Sequence, residues 1–518
     1  MSAVVDPQVA AQGNGAVGEG AGRLEVENPA TGEVIAHVED MDAARVKQIV
    51  ERARAAQPDW ATLGFERRGE LLRDLRRWIV QNRKRVVDSL VAEGGRPPDE
   101  VLLTDVWYTG DAIGFWAKNA QKYLADEKIR SSSPFMLGKK LVVRYRPVGV
   151  VGVIGPWNYP LVNTFGDAIP ALMAGNSVVM KPSEITPLTS LLVAEGAKEV
   201  GFPSGVMTVA TGLGETGAAL VDSADMIMFT GSARTGKKIM ARAAERLVPV
   251  SLELGGKDPF IVLSDADLER AANVAVQWSM SNSGQICQAV ERVYVEEPVH
   301  DEFVAKVVEK VAALRQGAAT KPGGVDVGAL TFPPQIDLVE RHVNDAVQKG
   351  ASVRVGGKRR EGQGRFYEPT VLTGVDHSME VMTDETFGPV LPIMKVRDAD
   401  EAVRLANDSR YGLNSAVFTK DLEKGEQIAR RLDAGNACVN DALINYFALE
   451  APFGGTNESG VGARHGAQGI RKYCASQTIL VTRFGPKREP TMFPNRAWKA
   501  KLFDRLMGFM WGRPKRDR

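Results

Sequence analysis

From Gly149 onward, short apolar runs alternate with stretches long enough to be helices. GVVGVIG at 149–155, NSVVMK at 176–181, GVMTVA at 205–210 and MIMFTG at 226–231 each read as a strand with little or no polar face. Strands separated by helices imply βαβ units, and so a parallel sheet covered on both faces. A second alternation over about 257–453, including VERVYV at 290–295 and NACVN at 436–440, predicts a second α/β domain. Ahead of both, 23–127 is mainly helical in pattern; within 65–87, Leu71, Leu72, Leu75, Trp78 and Ile79 recur at helix spacing. KKLVVRYR at 139–146 alternates instead, which predicts an exposed strand or hairpin leaving the main body. After a Gly-rich stretch at 454–466 the chain returns to a strand, QTILVTRF, and then a basic tail.

The length of 518 residues corresponds to about three domains. With 44% hydrophobic and 25% charged residues, the composition excludes a disordered, collagenous or coiled-coil chain. Lys+Arg 65 against Asp+Glu 64 leaves a net +1, so no chain-wide field draws the protein to nucleic acid. Three cysteines, Cys287, Cys438 and Cys474, cannot build a disulfide framework, and no Cys/His cluster suits zinc. A reducing cytoplasm and no metal are expected. The first residues have no basic region before their apolar ones and read as a floppy leader, not a secretory signal. No run of about 18 apolar residues predicts a transmembrane helix.

Two Gly-rich turns follow strands. Gly212-Leu-Gly214-Glu-Thr-Gly217 is a literal GxGxxG, which by itself fits a tight turn with close helix packing as well as a dinucleotide site. Phe229-Thr-Gly231-Ser232 is the better phosphate site: an apolar strand ends in Gly-Ser and opens a helix whose free N–H groups favour an anion. Ser232 could add a hydroxyl donor there. Cys287 lies in the small, polar segment Asn282-Ser-Gly284-Gln285-Ile286-Cys287, unlike an apolar core; the inert buried thiol fits Cys438 and Cys474 better. A reference thiol is only about 3% thiolate at pH 7, so a nucleophilic cysteine needs a base. No histidine stands in this motif, and Glu253, at the end of an apolar strand before Gly255-Gly256, is the carboxylate that could serve.

Over nearly its whole length the chain resembles the NAD(P)-dependent aldehyde dehydrogenase superfamily. The resemblance is carried by Pro156-Trp157-Asn158-Tyr-Pro160, Lys181-Pro-Ser183-Glu184, Phe229-Thr-Gly-Ser232, Glu253-Leu254-Gly-Gly-Lys257, Gly284-Gln-Ile-Cys287, Glu385-Thr-Phe387-Gly-Pro389 and Pro452-Phe-Gly-Gly455. It implies an α/β fold with a Rossmann-type cofactor domain, a second α/β catalytic domain and a β oligomerisation arm. On that template the leader is 1–22, the NAD-binding domain 23–127 and 147–255, and the arm 128–146 and 470–484. The catalytic domain is then 256–455, the return connection 456–469 and the basic amphipathic tail 485–518. The resemblance makes Cys287 the nucleophile, Glu253 the general base and Asn158 the oxyanion donor. It places the cofactor against Trp157, Lys181, Ser183, Glu184, Gly231, Ser232, Leu254, Glu385 and Phe387, with Gly212 ranking second as a phosphate turn. It also implies a homodimer or homotetramer.

Chemistry agrees with these roles. Thiolate attack on an aldehyde makes an alkoxide best held by fixed donors; hydride leaves for the nicotinamide, and the thioester is hydrolysed by water that Glu253 deprotonates. NAD is expected over NADP because Glu184 would repel a 2′-phosphate, although Lys181 softens this. The chain departs from the family's pattern at Asn457 and Ala463, where Lys and Arg are common, with Arg464 one place later; this puts local interdomain contacts in doubt. A CoA-acylating semialdehyde dehydrogenase remains a rival, as does a relative that kept the fold and lost catalysis. Some motifs look like bacterial succinate-semialdehyde dehydrogenases, but a carboxylate substrate should want an Arg clamp. The analogous pocket residues, Asn163, Ile286, Gln288, Ile444 and Asn445, are not cationic, which favours a neutral, rather apolar aldehyde. In the tail, ten Lys/Arg against three Asp/Glu over 485–518 and a helical recurrence of Trp498, Leu502, Leu506, Phe509 and Met510 describe two alternatives. Either the helix packs on protein, or it makes weak peripheral contact with the inner face of a membrane.

Overall fold

The structure is a computed structural model that describes residues 22–512. The leader, apart from Gly22, and the last six residues of the tail lie outside the described residues. The region over 23–127 does not begin with a helix: β1 (Gly22–Asn28) and β2 (Glu33–Asp40) form an antiparallel hairpin. Its turn is closed by Asn28, whose carbonyl accepts from Gly32 N at 2.7 Å, with Gly32 left-handed at φ 71°. Alternation in LEVEN and EVIAHVED is the signal that the helical reading passed over. Helices Ala43–Thr62, Gly64–Gln81, Arg83–Gly94 and Tyr108–Tyr123 follow. The 65–87 stretch is thus two helices meeting at Asn82, where φ −97°, ψ 15° leaves the helical basin.

The first sheet contains the expected strands as β5 (Val150–Ile154), β6 (Ser177–Lys181), β7 (Met207–Val209) and β8 (Met226–Thr230), continued by β9 (Val250–Glu253). These five are parallel, and a short β19 (Gly460–Val461) joins antiparallel at the edge, in the order β19-β9-β8-β5-β6-β7. Strand order reverses between β5 and β8, so the loops after these two strands flank the crevice where α/β sheets bind ligands.

The second sheet is built from β10 (Asp258–Val262), β11 (Val290–Glu296), β12 (Ser352–Val355), β13 (Thr370–Thr373), β14 (Val390–Val396), β16 (Ala416–Phe418) and β17 (Cys438–Val439). All its pairings are parallel except that of β12. Neighbouring residues of one strand serve opposite faces: Phe260 and Val262 join Phe303 and Phe418 on one side, while Ile261 joins Leu372 and Val417 on the other. Helices cover both faces, so these strands read as continuous apolar runs.

Residues up to Leu124 and Pro147–Ala475 make one compact unit; Ala125–Arg146 with the chain from Ser476 onward make a second. In the second, β3 (Glu127–Ile129), β4 (Lys139–Pro147) and β20 (Cys474–Thr482) lie in the order β20-β4-β3. The late strand therefore pairs with the 139–146 segment. A helix, Ala497–Trp511, ends this unit.

Candidate active site

Cys287 follows a tight turn that ends the helix Leu268–Met280. Asn282, Ser283 and Gly284 are all left-handed, at φ 49°, 55° and 72°, a conformation that L side chains adopt at a cost. Gly284 is required, because a Cβ there would run into the carbonyl of Gly388. The turn is held from several sides. Asn282 N donates to Glu100 at 2.9 Å, its side-chain amide donates to Asn158 O at 3.0 Å, and Gln285 Nε2 donates to Asn282 O at 2.8 Å. Asn158 sits in the loop after β5, buried, and its Nδ2 donates to Gln285 O at 2.8 Å, two residues before the cysteine. The amide and the thiol's loop are thereby locked in register. Burial pushes the Cys287 thiol up to about 12, with Arg464 only partly opposing, so the thiol carries its proton at neutral pH. Cys438 and Cys474 are raised by burial too, to about 11 and about 12.

Glu253 ends β9, where its backbone is gripped on both sides: Gly231 N donates to its carbonyl at 3.1 Å, and Gly460 of β19 is its antiparallel partner. Its side chain is buried, and Oε1 has no hydrogen-bond partner among the described residues. Burial raises this carboxyl to about 7, against the pull of Arg464 and Lys472. A group that is half-ionised near neutrality suits a general base. The Gly256 turn that follows Glu253 packs against the Cys287 loop: a Cβ on Gly256 would run into the Cys287 carbonyl.

Around this pair lies a buried charge cluster that motif reading missed. Arg464 grips Asp167 with Nε at 2.9 Å and Nη2 at 2.8 Å, and also donates to the Thr230 hydroxyl. Lys472, which burial lowers to about 8, donates to Ser251 Oγ at 3.2 Å. A lone Asp in the apolar run Phe165-Gly-Asp167-Ala-Ile-Pro was the available signal, since an unpaired buried charge is not tolerated. The doubted contacts near Gly455 have partners of their own: Asn457 donates to Asp433 at 3.1 Å, and Glu458 pairs with Lys237 at 2.6 Å.

Of the residues expected at the pocket, Asn163 is buried and accepts from Tyr446 OH at 3.3 Å. Tyr446 and Tyr159 both feel the charge of Cys287 and so stand near it. Gln288 and Asn445 meet at Asn414, whose Nδ2 donates to Gln288 Oε1 at 2.9 Å and to Asn445 Oδ1 at 3.1 Å. Ile286 is buried, whereas Ile444 is exposed.

Most residues expected to hold a dinucleotide fall at or just beyond the carboxyl ends of strands of the first sheet, while Glu385 and Phe387 lie in the loop before β14 of the second. Lys181 and Glu184 pair at 3.5 Å, and Lys181 Cδ would lie 3.9 Å from a Cβ placed on Gly217, so these residues meet at the first turn of the helix Gly214–Ser223. Ser183 is buried and its Oγ accepts from Ile185 N at 3.3 Å, shaping that turn. Gly212 packs its turn against β2: a Cβ there would meet Thr216 and Asp40, and Leu213 N donates to Asp40 at 3.2 Å. Ser232 caps the helix Ala233–Ala244, accepting from Thr235 N at 3.3 Å and donating to Thr235 Oγ1 at 3.1 Å. Its hydroxyl proton is thus already directed to Thr235. Leu254 lies against the same helix; a Cβ on Gly236 would come within 2.7 Å of it.

Glu385 lies over the Gly255-Gly256 backbone and accepts from Gly256 N at 3.2 Å, with burial raising it to about 8. Phe387 meets Trp157 edge-on at 5.3 Å, and Trp157 stacks on Phe332 at 5.8 Å. Glu291, unflagged by any motif, organises this loop: it accepts from Lys257 Nζ at 2.6 Å and from the N–H groups of Thr386 and Phe387 at 2.8 Å each.

Known proteins bear the same pattern. A "Putative succinate-semialdehyde dehydrogenase [NADP(+)] 2" of Mycobacterium ulcerans is 40% identical over 477 residues, covering 92% of this chain and 90% of the relative. A "4,4'-diapolycopene aldehyde oxidase" of a Methylomonas species is 37% identical over 487 residues, covering 94% and 91%. The crystal structure of lactaldehyde dehydrogenase from Escherichia coli superposes with a TM-score of 0.86 at 36% identity, over 91% of this chain and 98% of that one. The family model described as "Aldehyde dehydrogenase family" matches residues 17–479: the chain belongs to the aldehyde dehydrogenase family.

Proposed function

We propose that the protein oxidises a neutral, rather apolar aldehyde to its carboxylic acid through a thioester on Cys287. The observations that support this reading are the Asn158 amide bonded to the Cys287 loop at Gln285 O and the Gly255-Gly256 turn that follows Glu253 lying against the Cys287 carbonyl. A carboxyl near 7 takes the proton of a thiol that burial keeps protonated, and the sulfur adds to the aldehyde carbon. Asn158, fixed by its bond to Gln285 O, holds the developing alkoxide with its remaining amide hydrogen. A bound nicotinamide dinucleotide supplies the hydride acceptor, resting on Lys181, Glu184 and the 231–233 turn at one end and on Glu385 and Phe387 at the other. Once the proton taken from the thiol has passed to solvent, the ionised Glu253 deprotonates the water that opens the thioester, and the Cys287 sulfur leaves as the thiolate. The presence of Glu253 favours water over CoA as the acyl acceptor.

The apolar substrate class is supported by pocket residues without a cation. Arg464, the nearest guanidinium to the base, is committed to Asp167, and the amides of Gln288 and Asn445 are committed to Asn414. Succinic semialdehyde is the second reading, favoured by the name of the mycobacterial relative. We further propose NAD as the preferred cofactor, from Glu184, although that relative is named for NADP(+). A cytoplasmic homo-oligomer fits three free cysteines and the paired β4–β20 strands. NADH formation with straight-chain aldehydes, benzaldehyde and succinic semialdehyde, with and without CoA, tests the reading. A highest kcat/KM for succinic semialdehyde would replace the apolar assignment, and CoA-dependent turnover would replace hydrolysis.

A further inference from the structure

The Ala497–Trp511 helix takes no part in the site above, and its surface is unusual for a protein exterior. Its first two turns are tethered within their own unit. Lys499 is buried and gives its ammonium to Met492 O, and Phe503 meets the Phe135 ring at 6.1 Å. The remaining turns carry apolar side chains with much of their surface exposed: Leu506 is 44% exposed, Met507 48%, Met510 48% and Trp511 72%, and Trp498 at the other end is 54% exposed. At about 100° per residue, Trp498, Phe509, Leu502, Leu506, Met510 and Met507 spread over roughly half the circumference. Lys501, Asp504, Arg505 and Gly508 occupy the other side. Lys499 and Phe503, which fall within that arc, are the side chains turned onto their own unit, so the open apolar face is the flank from Trp498 through Leu502 to Leu506, bordered by Arg505 and Lys501.

The surrounding segment has the opposite sign from the rest of the chain. Residues 485–518 carry ten Lys/Arg and three Asp/Glu, a net +7, so the remaining chain is −6 from the total of +1. We propose that this helix is an interfacial anchor that seats the enzyme on an anionic bilayer. Its apolar arc would enter the headgroup boundary, with the tryptophans at both ends at headgroup level and the basic side chains against lipid phosphates. The geometry is that of lying on a membrane. Fifteen residues rise only about 22 Å, short of the roughly 30 Å hydrocarbon core, and no helix among the described residues is long and apolar enough to cross. A second copy is the alternative occupant. A two-fold contact sets one patch against itself, here a segment whose described residues, 485–512, carry six Lys/Arg and two Asp/Glu, +4 against +4, and protein interfaces disfavour lysine. An anionic surface complements the same charge.

The test uses full-length protein and sedimentation with vesicles of equal parts phosphatidylcholine and phosphatidylglycerol, against vesicles of phosphatidylcholine alone. Binding is expected to the anionic vesicles at low salt and to fall several-fold at high salt. Leu506→Ser with Met510→Ser, and separately Lys501→Glu with Arg505→Glu, should each lower binding by more than about tenfold. Aldehyde oxidation and hydrodynamic mass should stay unchanged in both. Protein that stays in the supernatant with anionic vesicles at low salt overturns the proposal, as does binding that both variants retain. A drop in assembly size for the Leu506/Met510 variant would likewise overturn it, because the face would then be covered by another copy.

Discussion

Arg464 holds both carboxylate oxygens of Asp167, at 2.9 and 2.8 Å, inside the protein and beside the Glu253 carboxyl. The pair has two consequences for the base. Burial raises the Glu253 carboxyl, Arg464 and Lys472 pull it back down, and Asp167 adds a smaller upward push, so the guanidinium opposes what burial does. Arg464→Met should therefore move the midpoint of the kcat–pH profile upward. Because it strands the Asp167 charge, it should also cost about 3–5 kcal/mol of stability. Arg464→Lys should restore part of the profile. An unchanged midpoint in a folded Met variant would disconnect the pair from the base.

Base function also predicts the pH dependence of the native enzyme. Glu253 works ionised and is raised to about 7, so deacylation should climb as pH rises through that value and level off above it. Single-turnover release of acid between pH 5.5 and 9, a range of roughly two pH units either side, measures this. A profile falling with pH in that window contradicts the assignment.

Covalent catalysis is tested by separating its two halves. Cys287→Ala should lose aldehyde oxidation by at least about a thousandfold while NAD still binds. Glu253→Gln should stall after a burst of about one NADH per site if deprotonation of the thiol can be borrowed from solvent. Steady turnover near wild type in either variant would remove that residue from its role.

Cofactor choice rests on Glu184, which stands 3.5 Å from Lys181. Its carboxylate accepts from ribose hydroxyls and repels a 2′-phosphate, so kcat/KM should favour NAD, and Glu184→Ser should narrow the gap by about tenfold. An equal or higher value with NADP in the native enzyme would leave Lys181 as the dominant group.

Glu291 joins β11 to the loop of Glu385 and Phe387 through Lys257 and two backbone N–H groups. Glu291→Gln keeps the shape but leaves the Lys257 charge unpaired. The expected result is a several-fold rise in KM for the dinucleotide and a loss of about 3 kcal/mol in denaturant unfolding.

Local chemistry in the sequence determined much of this protein. Strands covered on both faces must be apolar throughout, so β5, β6, β8, β9 and β11 could be read from their runs. The turns at Gly231-Ser232 and Gly284-Gln285 were legible because close backbone approach demands small residues at fixed places. The β1–β2 hairpin was missed although its alternation was present, because helical periodicity in the following hundred residues dominated the pattern. Asp167 and Arg464 lie 297 residues apart, and Glu291 and Thr386 are separated by 95. No local signal links such partners, since burial alone creates the need for a counter-charge, and which charge answers depends on how the sheets are brought together. The same holds for protonation: Cys287 and Glu253 were identifiable by type and motif, but only their removal from water sets one near 12 and the other near 7.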